Sequence, residues 1–377
     1  MTLVLKSNPI YRSRIGGFRH LVYFIDGTWL FAGSDKNLTE YSNIYIMNTL
    51  LEADDHSANA QISYYSRGLG ATYGPRKYTA GGFSYGIREQ VQDIYINICS
   101  NYEPGDKIYI FGFSRGAVVA RAVIDLLSFG ILNPHSIYKL PDLWNAYSGS
   151  GLVSLPDSKD GGRTLAEDFA DQNPTIEFVG LFDTVSGGRG ITNTAQRLRL
   201  HQRPVNGIVN NAVHILALDE SRKFFQPVLW TKGHEQIKHF EQIWMPGVHS
   251  DIGGAYRERS LGNASLVTMI DRVIHRTKLS FNLKDLVNRY NFNMSQISIS
   301  NEYSKFWKYV QVRDYSRTLD RGQGEYSVHT FAKWLDGQRV QWKSERDKNY
   351  TLGDAFKSHD RVAPWFLSNH FAFHRNS

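Results

Sequence analysis

Residues Lys107–Ile124 read KIYIFGFSRGAVVARAVI. Ile108, Tyr109, Ile110 and Phe111 form an uninterrupted run of β-formers, and Ala117, Ala120 and Ala122 belong to a helical pattern that follows. Between the two lies Gly112-Phe113-Ser114-Arg115-Gly116, which matches the G-x-S-x-G nucleophile elbow. The spacing has a steric cause. A strand that turns sharply into a helix forces the serine into a strained conformation, and its glycine neighbours let the backbones approach. Ser114 is then expected at the carboxyl edge of a sheet, with the amide of Arg115 at a helix N-terminus, aimed at a developing oxyanion. A pattern this short also arises in ordinary glycine-rich turns, so the surrounding chain decides.

Outward from the elbow, strands and helices alternate. His20–Asp26 (HLVYFID) is an apolar strand ending in the turn Asp26-Gly27-Thr28-Trp29. Thr39–Ala53 has helical spacing, with Asn37 or Thr39 as cap. Gln61–Tyr65 is a strand running into Gly68-Leu69-Gly70, and Gly86–Tyr102 is a helix broken at Glu103-Pro104-Gly105-Asp106. After the elbow helix, Thr175–Phe182 is a buried strand that ends at Asp183. Ile208–Glu220 is assigned as a helix with His214 on its apolar face, His239–Met245 as a strand, and Ala264–Thr277 as a helix. This order predicts an α/β fold, an α/β-hydrolase-like, mostly parallel sheet covered on both faces. Residues 18–280 form its catalytic domain, 131–173 a lid-like insertion or a connector, and 281–377 a C-terminal cap or appendage that belongs to the same domain or stands apart.

Composition narrows the function classes. The chain has 377 residues, with 41% hydrophobic and 21% charged residues, enough apolar material for a large core. Lys and Arg outnumber Asp and Glu by 43 to 36, a net charge of +7. No basic block or recognisable nucleic-acid module accompanies that surplus, so no nucleic-acid partner is expected, whereas transient contact with an anionic membrane surface is compatible with it. The aromatic share of 13% suits a bulky core or an apolar substrate pocket. The single cysteine, Cys99, falls in the helical stretch YINICSNY and reads as a core residue in a protein made in a reducing compartment. There is no secretory signal and no run of 18 apolar residues, so a chain soluble and cytoplasmic as synthesised is expected.

Three strand ends carry three complementary residue types. Ser114, Asp183 and His249 occur in the order nucleophile, acid, base. A serine hydroxyl attacks only when an imidazole takes its proton, and the imidazole needs a carboxylate on its other nitrogen. His249 is the expected base and Asp183 its partner; both follow apolar strands. Asp251 competes as the acid but stands two residues from His249, and it is expected to support the loop. Of the other histidines, His214 reads as core and His329, in YSVHTFAKW, as a loop or helix-start residue with a pocket contribution as its functional alternative. Asp26, His249 and Asp251 also have the donor types to hold a divalent metal in a metal-assisted hydrolase. A non-catalytic binding module on the same scaffold is the third alternative.

Six blocks recur in order: Asp26-Gly27-Thr28-Trp29, Gly68-Leu69-Gly70, GFSRGAVVAR, LFDTVSG, LALDESRKFFQPVLW over 216–230, and MPGVHSDIGGAY over 245–256. Over residues 18 to 280 this resembles the α/β-hydrolase catalytic domain of the type VI secretion lipase effectors, formerly a domain of unknown function. The resemblance implies a serine esterase that cleaves phospholipids or other lipid esters through an acyl-enzyme, without metal or organic cofactor. It matches Ser114 to the nucleophile, Asp183 to the acid and His249 to the base, and it implies a second oxyanion donor from the amide of Gly27 or Thr28. The resemblance does not assign Arg115, which is expected to form a structural salt bridge with an acidic neighbour or else to face a phosphate; Glu220 and Arg222 look like scaffold ion-pair formers rather than catalysts. Export by a signal-less secretion system, with an immunity or secretion partner, belongs to the same resemblance; no residue here specifies that partner.

Overall fold

The computed structural model describes residues 17–27, 41–68, 86–150, 168–171, 173–185, 198, 200, 204–222, 225–233, 235–290, 297–300, 317, 325–342 and 347–366. In chain order the strands are His20–Ile25 (β1), Gln61–Ser66 (β2), Lys107–Phe113 (β3), Ile131–Leu132 (β4), Phe169–Asp171 (β5), Ile176–Phe182 (β6), Asn211–Ala217 (β7) and His239–Met245 (β8). They continue with Ser298–Ile299 (β9), Ser327–His329 (β10), Arg339–Trp342 (β11), Lys348–Asn349 (β12) and Val362–Ala363 (β13). Eight of them build one sheet in the order β13-β10-β8-β7-β6-β3-β1-β2. Every pairing in it is parallel.

A parallel sheet must be covered on both faces, and side chains two apart along a strand share a face. Leu21, Tyr23 and Ile25 of β1, with Ile108 and Ile110 of β3, enter one apolar cluster, against the helices Ile87–Asn101 (α2), Arg115–Leu127 (α3) and Leu140–Ser150 (α4). Val22, Phe24, Tyr109, Phe111 and Phe113 enter the other, with Asn43–Leu50 (α1) and the long helix Ser260–Arg276. Cys99 is buried in the first cluster as a free thiol.

The run 208–220 is corrected from helix to strand: β7 pairs with β6 and β8 through Asn211–Ala217. All seven of its residues are buried. A strand buried on both faces shows no polar alternation, so a short apolar run looks the same as a buried helix. α1 is shorter than expected; its cap is Ser42, whose Oγ accepts from the Tyr45 amide at 3.1 Å. Asn37 and Thr39 lie outside the described residues, and Leu51 has left the helix for a bridge to Phe281.

Between 131 and 173 the chain forms β4, a 3₁₀ turn Pro134–Lys139, α4 and β5, with Leu143, Trp144 and Tyr147 packed into the core. Residues 151–167, with the loop Pro156–Gly162, are outside the described ones. Beyond residue 280 the chain adds β10 and β13 to the main sheet and sends Phe331, Leu335 and Phe356 into its core. Among the described residues no helix is long and apolar enough to cross a membrane.

Candidate active site

β3 delivers Ser114 to the carboxyl edge of the sheet. Its φ of 58° and ψ of −123° lie outside the regions favoured by non-glycine residues. The backbone is held there by the Ser114 amide, which donates to Phe182 O at 3.0 Å. A Cβ on Gly116 would stand 2.4 Å from the carbonyl oxygen of Asp26, and one on Gly112 2.7 Å from the Cα of Ala117. Gly116 therefore lets α3 start against the end of β1, and Gly112 lets the first turn of α3 fold back close on β3. The Arg115 amide opens that helix, where the first N–H groups lack intrahelical acceptors.

His249 lies at the start of the short helix His249–Ile252, just after β8. Its Nδ1 is 2.7 Å from Asp183 Oδ2 and its Nε2 is 2.9 Å from Ser114 Oγ. An ionised carboxylate only accepts, so the proton sits on Nδ1 and leaves Nε2 to accept from the serine hydroxyl. The imidazole is clamped between rings: Phe113 stacks on it at 4.8 Å and Phe225 meets it edge-on at 5.0 Å. Gly253 is needed under Phe113, since a Cβ there would come within 2.1 Å of the ring.

Asp183 follows β6 with a φ of 35°, a left-handed conformation, and is fully buried. Its amide donates to Ile215 O at 2.7 Å, and the next amide, Thr184, donates to His214 Nε2 at 3.1 Å. His214 is thus a core histidine, but on a strand rather than a helix. Burial, aided by the nearby Arg121, pushes its pKa down to about 3, so it stays neutral and able to accept.

The carboxylate of Asp183 also receives a guanidinium. Arg317 Nη1 donates to Oδ1 at 2.6 Å and Nη2 to Oδ2 at 3.0 Å, while the Ala217 amide donates to Oδ1 at 3.1 Å. Burial favours the protonated acid, but the Arg317 charge and the His249 bond overcome it and hold Asp183 well below the usual carboxylate range. Sequence reasoning missed Arg317, Phe113 and Phe225. Arg317 belongs to the aromatic and basic tail, where nothing local marks one arginine among many.

Glu220 and Arg222 do form a buried ion pair, Nη2 to Oε2 at 2.7 Å, and Glu220 Oε2 accepts from the His249 amide at 3.2 Å. Burial raises Glu220, but Arg222 outweighs it and keeps the acid below its ordinary range. Arg222 lies 3.6 Å over the Phe225 ring. Asp251 Oδ2 accepts from the amides of Val248 and Ser300, both at 3.1 Å, which is a loop-supporting role. His329 is buried, and its Nδ1 accepts from the Phe331 amide at 3.1 Å, capping the helix Thr330–Leu335. Arg115 is buried, which pushes its pKa down to about 10.

The turn after β1 is organised by Asp26. Its Oδ2 accepts from Ser42 Oγ and Tyr65 Oη, both at 2.7 Å, and its Oδ1 accepts from the Gly27 amide at 2.7 Å. The Gly27 N–H is therefore engaged within the turn, and Thr28 lies outside the described residues. Among the described residues no group of His, Cys, Asp or Glu could hold a metal ion, so Asp26, His249 and Asp251 are not brought together as ligands.

Residues 19–272 match the family model described as "T6SS, Phospholipase effector Tle1-like, catalytic domain". The chain is 29% identical over 247 residues to the uncharacterized protein YEL023C of Saccharomyces cerevisiae, a match covering 59% of this chain and 34% of that protein. It therefore spans about a third of that relative's length. A crystal structure of an uncharacterized protein from Pseudomonas aeruginosa superposes with a TM-score of 0.45 at 18% identity, over 74% of this chain and 49% of that one. A Tle1 effector bound to the VgrG spike of the type 6 secretion system gives a TM-score of 0.35 at 21% identity, over 65% and 52% of the two chains.

Proposed function

We propose a serine-based ester hydrolysis for this chain, which belongs to the type VI secretion Tle1-like phospholipase effector family. The observation that carries the proposal is the continuous chain of hydrogen bonds from Ser114 Oγ through His249 to Asp183 at three strand ends. Ser114 Oγ attacks the ester carbonyl carbon while its proton passes to His249 Nε2. The carbonyl electron pair moves onto oxygen, where the Arg115 amide meets it. With the Gly27 amide engaged by Asp26, Thr28 is the proposed second donor. When the tetrahedral species collapses, the leaving alkoxide takes the proton from Nε2, and the fatty acyl group stays on Ser114. Water then repeats the sequence, giving its proton to Nε2 and releasing the carboxylic acid and the free serine.

The family supports a lipid ester, and phospholipid first, as the substrate. Delivery through a type VI apparatus, with the partners that requires, belongs to the same proposal. The test is incubation of the protein, beside Ser114→Ala, with a mixed lipid extract and analysis of the products by mass spectrometry. Fatty acid and lysophospholipid should appear with the native serine and fall by at least about 10⁴-fold without it. A fluorophosphonate should label Ser114 alone. A fully active Ser114→Ala protein sinks the mechanism, and cleavage confined to short-chain soluble esters sinks the lipid assignment.

A further inference from the structure

Among the described residues that bond to Ser114, His249 or Asp183, Arg317 is the one that comes from beyond the family-matched stretch of residues 19–272. It is 3% exposed, and its guanidinium has four acceptors: both oxygens of Asp183, the Ala217 carbonyl at 2.8 Å and the Phe225 carbonyl. One planar group thus ties together the turn after β6, the end of β7 and the backbone of the residue whose ring edge meets His249.

A structural ion pair is the simplest account, but its placement has an electrostatic consequence. A buried carboxylate next to an imidazole normally leaves the resting site at −1. With Arg317 the resting set of Asp183, His249 and Arg317 sums to zero. When His249 carries the serine proton, Asp183, the imidazolium, the oxyanion and Arg317 again sum to zero. In a site shielded from water an unbalanced charge is costly. Among the described residues, the other charged or titratable groups near this set are Glu220, which accepts from the His249 amide and pairs with Arg222, and Asp219, which accepts from the Gly247 amide and lies within the field of Arg317. With them are Asp251, on the same helical turn as His249, and Arg115, next to Ser114 in the chain. Glu220 and Arg222 cancel each other, and Asp251 is turned to the amides of Val248 and Ser300.

We propose that Arg317 is a positioning residue of the hydrolytic site: its two-pronged bond fixes the carboxylate plane of Asp183 toward His249, and its charge limits how strongly that carboxylate stabilises the imidazolium. The C-terminal segment is accordingly part of the catalytic apparatus. This rests on the serine reading of Ser114, so that reading is checked first, on the same protein preparation.

The experiment measures fluorophosphonate labelling of Ser114 as a function of pH in the full chain, for the native protein, Arg317→Lys and Arg317→Met. The lysine variant keeps the charge and loses the fork, so the labelling rate falls about 10-fold while the acid limb of the profile stays in place. The methionine variant loses both. Its rate falls about 100-fold, and the acid limb moves to higher pH by about one unit, because the imidazolium then faces an uncompensated carboxylate. A merely structural arginine lowers the folded fraction and leaves the limb where it is. If Arg317→Met does not fold, Arg317→Lys decides: a native rate overturns the proposal. An unshifted acid limb in folded Arg317→Met overturns it as well. If the native protein is labelled normally in either case, only the role of Arg317 falls. If the native protein is not labelled at Ser114 at all, the serine reading fails and takes this inference with it.

Discussion

Asp26 and Asp183 are two buried aspartates at the carboxyl ends of parallel strands of the same sheet, and they sit in opposite electrostatic environments. Among the described residues Asp26 accepts three hydrogen bonds, all from neutral donors: Ser42, Tyr65 and the Gly27 amide. Burial dominates there and pushes its pKa up to about 6. Asp183 is buried to the same degree, yet it faces a guanidinium and an imidazole and is held far below its ordinary value. Among the described residues Asp183 accepts four hydrogen bonds to the three of Asp26, a small difference beside the charge that two of its donors, Arg317 and His249, can carry. Asp183 is held ionised, as a carboxylate that orients an imidazole must be. Asp26 titrates in mildly acid conditions and serves as the hub of the turn after β1.

The comparison breaks most visibly at Asp183. Asp183→Asn should lower esterase kcat/KM by about 10⁴-fold, the scale seen when a triad acid is made neutral and the imidazole takes the wrong tautomer. It also leaves Arg317 as a buried unpaired cation, so the protein should lose about 3–5 kcal/mol in chemical denaturation. A variant as active and as stable as the native chain would remove Asp183 from the site.

Asp26→Asn should act in the opposite direction on stability. In the native state Asp26 binds its proton more tightly than in the unfolded chain, whose carboxyl titrates near the ordinary 3.8. Stability therefore falls as pH rises between about 4 and about 6 and stays lower above that window. The asparagine variant lacks this fall. It should match the native protein near pH 4 and exceed it by on the order of 2 kcal/mol near pH 8. Parallel pH curves for the two proteins would contradict the neutral-donor account of Asp26.

Ser42→Ala should give the smallest change. It removes both the cap of α1 and one donor to Asp26. The lost cap costs about 1 kcal/mol, and the lost donor raises the Asp26 pKa further, so the pH-dependent fall in stability moves to slightly higher pH. Thermal melts at two pH values would reveal both effects, and an unmoved window would separate Ser42 from Asp26.

How much of this was legible varied from residue to residue. Gly112, Ser114 and Gly116 could be read because a strand-to-helix elbow imposes its own stereochemistry within five residues, and the clashes a Cβ would meet there confirm why glycine is required. Asp183 and His249 could be singled out because polar residues immediately after apolar parallel strands land on one edge of the sheet. β7 was misread because an all-buried strand lacks the period that distinguishes it from a helix. Ser42 lost out to Thr39 and Asn37 as the helix cap because several capping residues stand close together and only the backbone path selects one. Arg317, Phe113 and Phe225 were invisible as site residues, since no local pattern says which guanidinium or ring will meet a given carboxylate or imidazole.

The amino-acid sequence by itself determined the parallel sheet, the elbow and, everywhere but at β7, the alternation of elements, because these follow from periodicity and from steric rules that act over a few residues. Tertiary structure alone decided the electrostatic state of the site. Whether an aspartate is held ionised or pushed toward protonation depends on which groups reach it across the fold, and Arg317 reaches Asp183 over a separation of 134 residues.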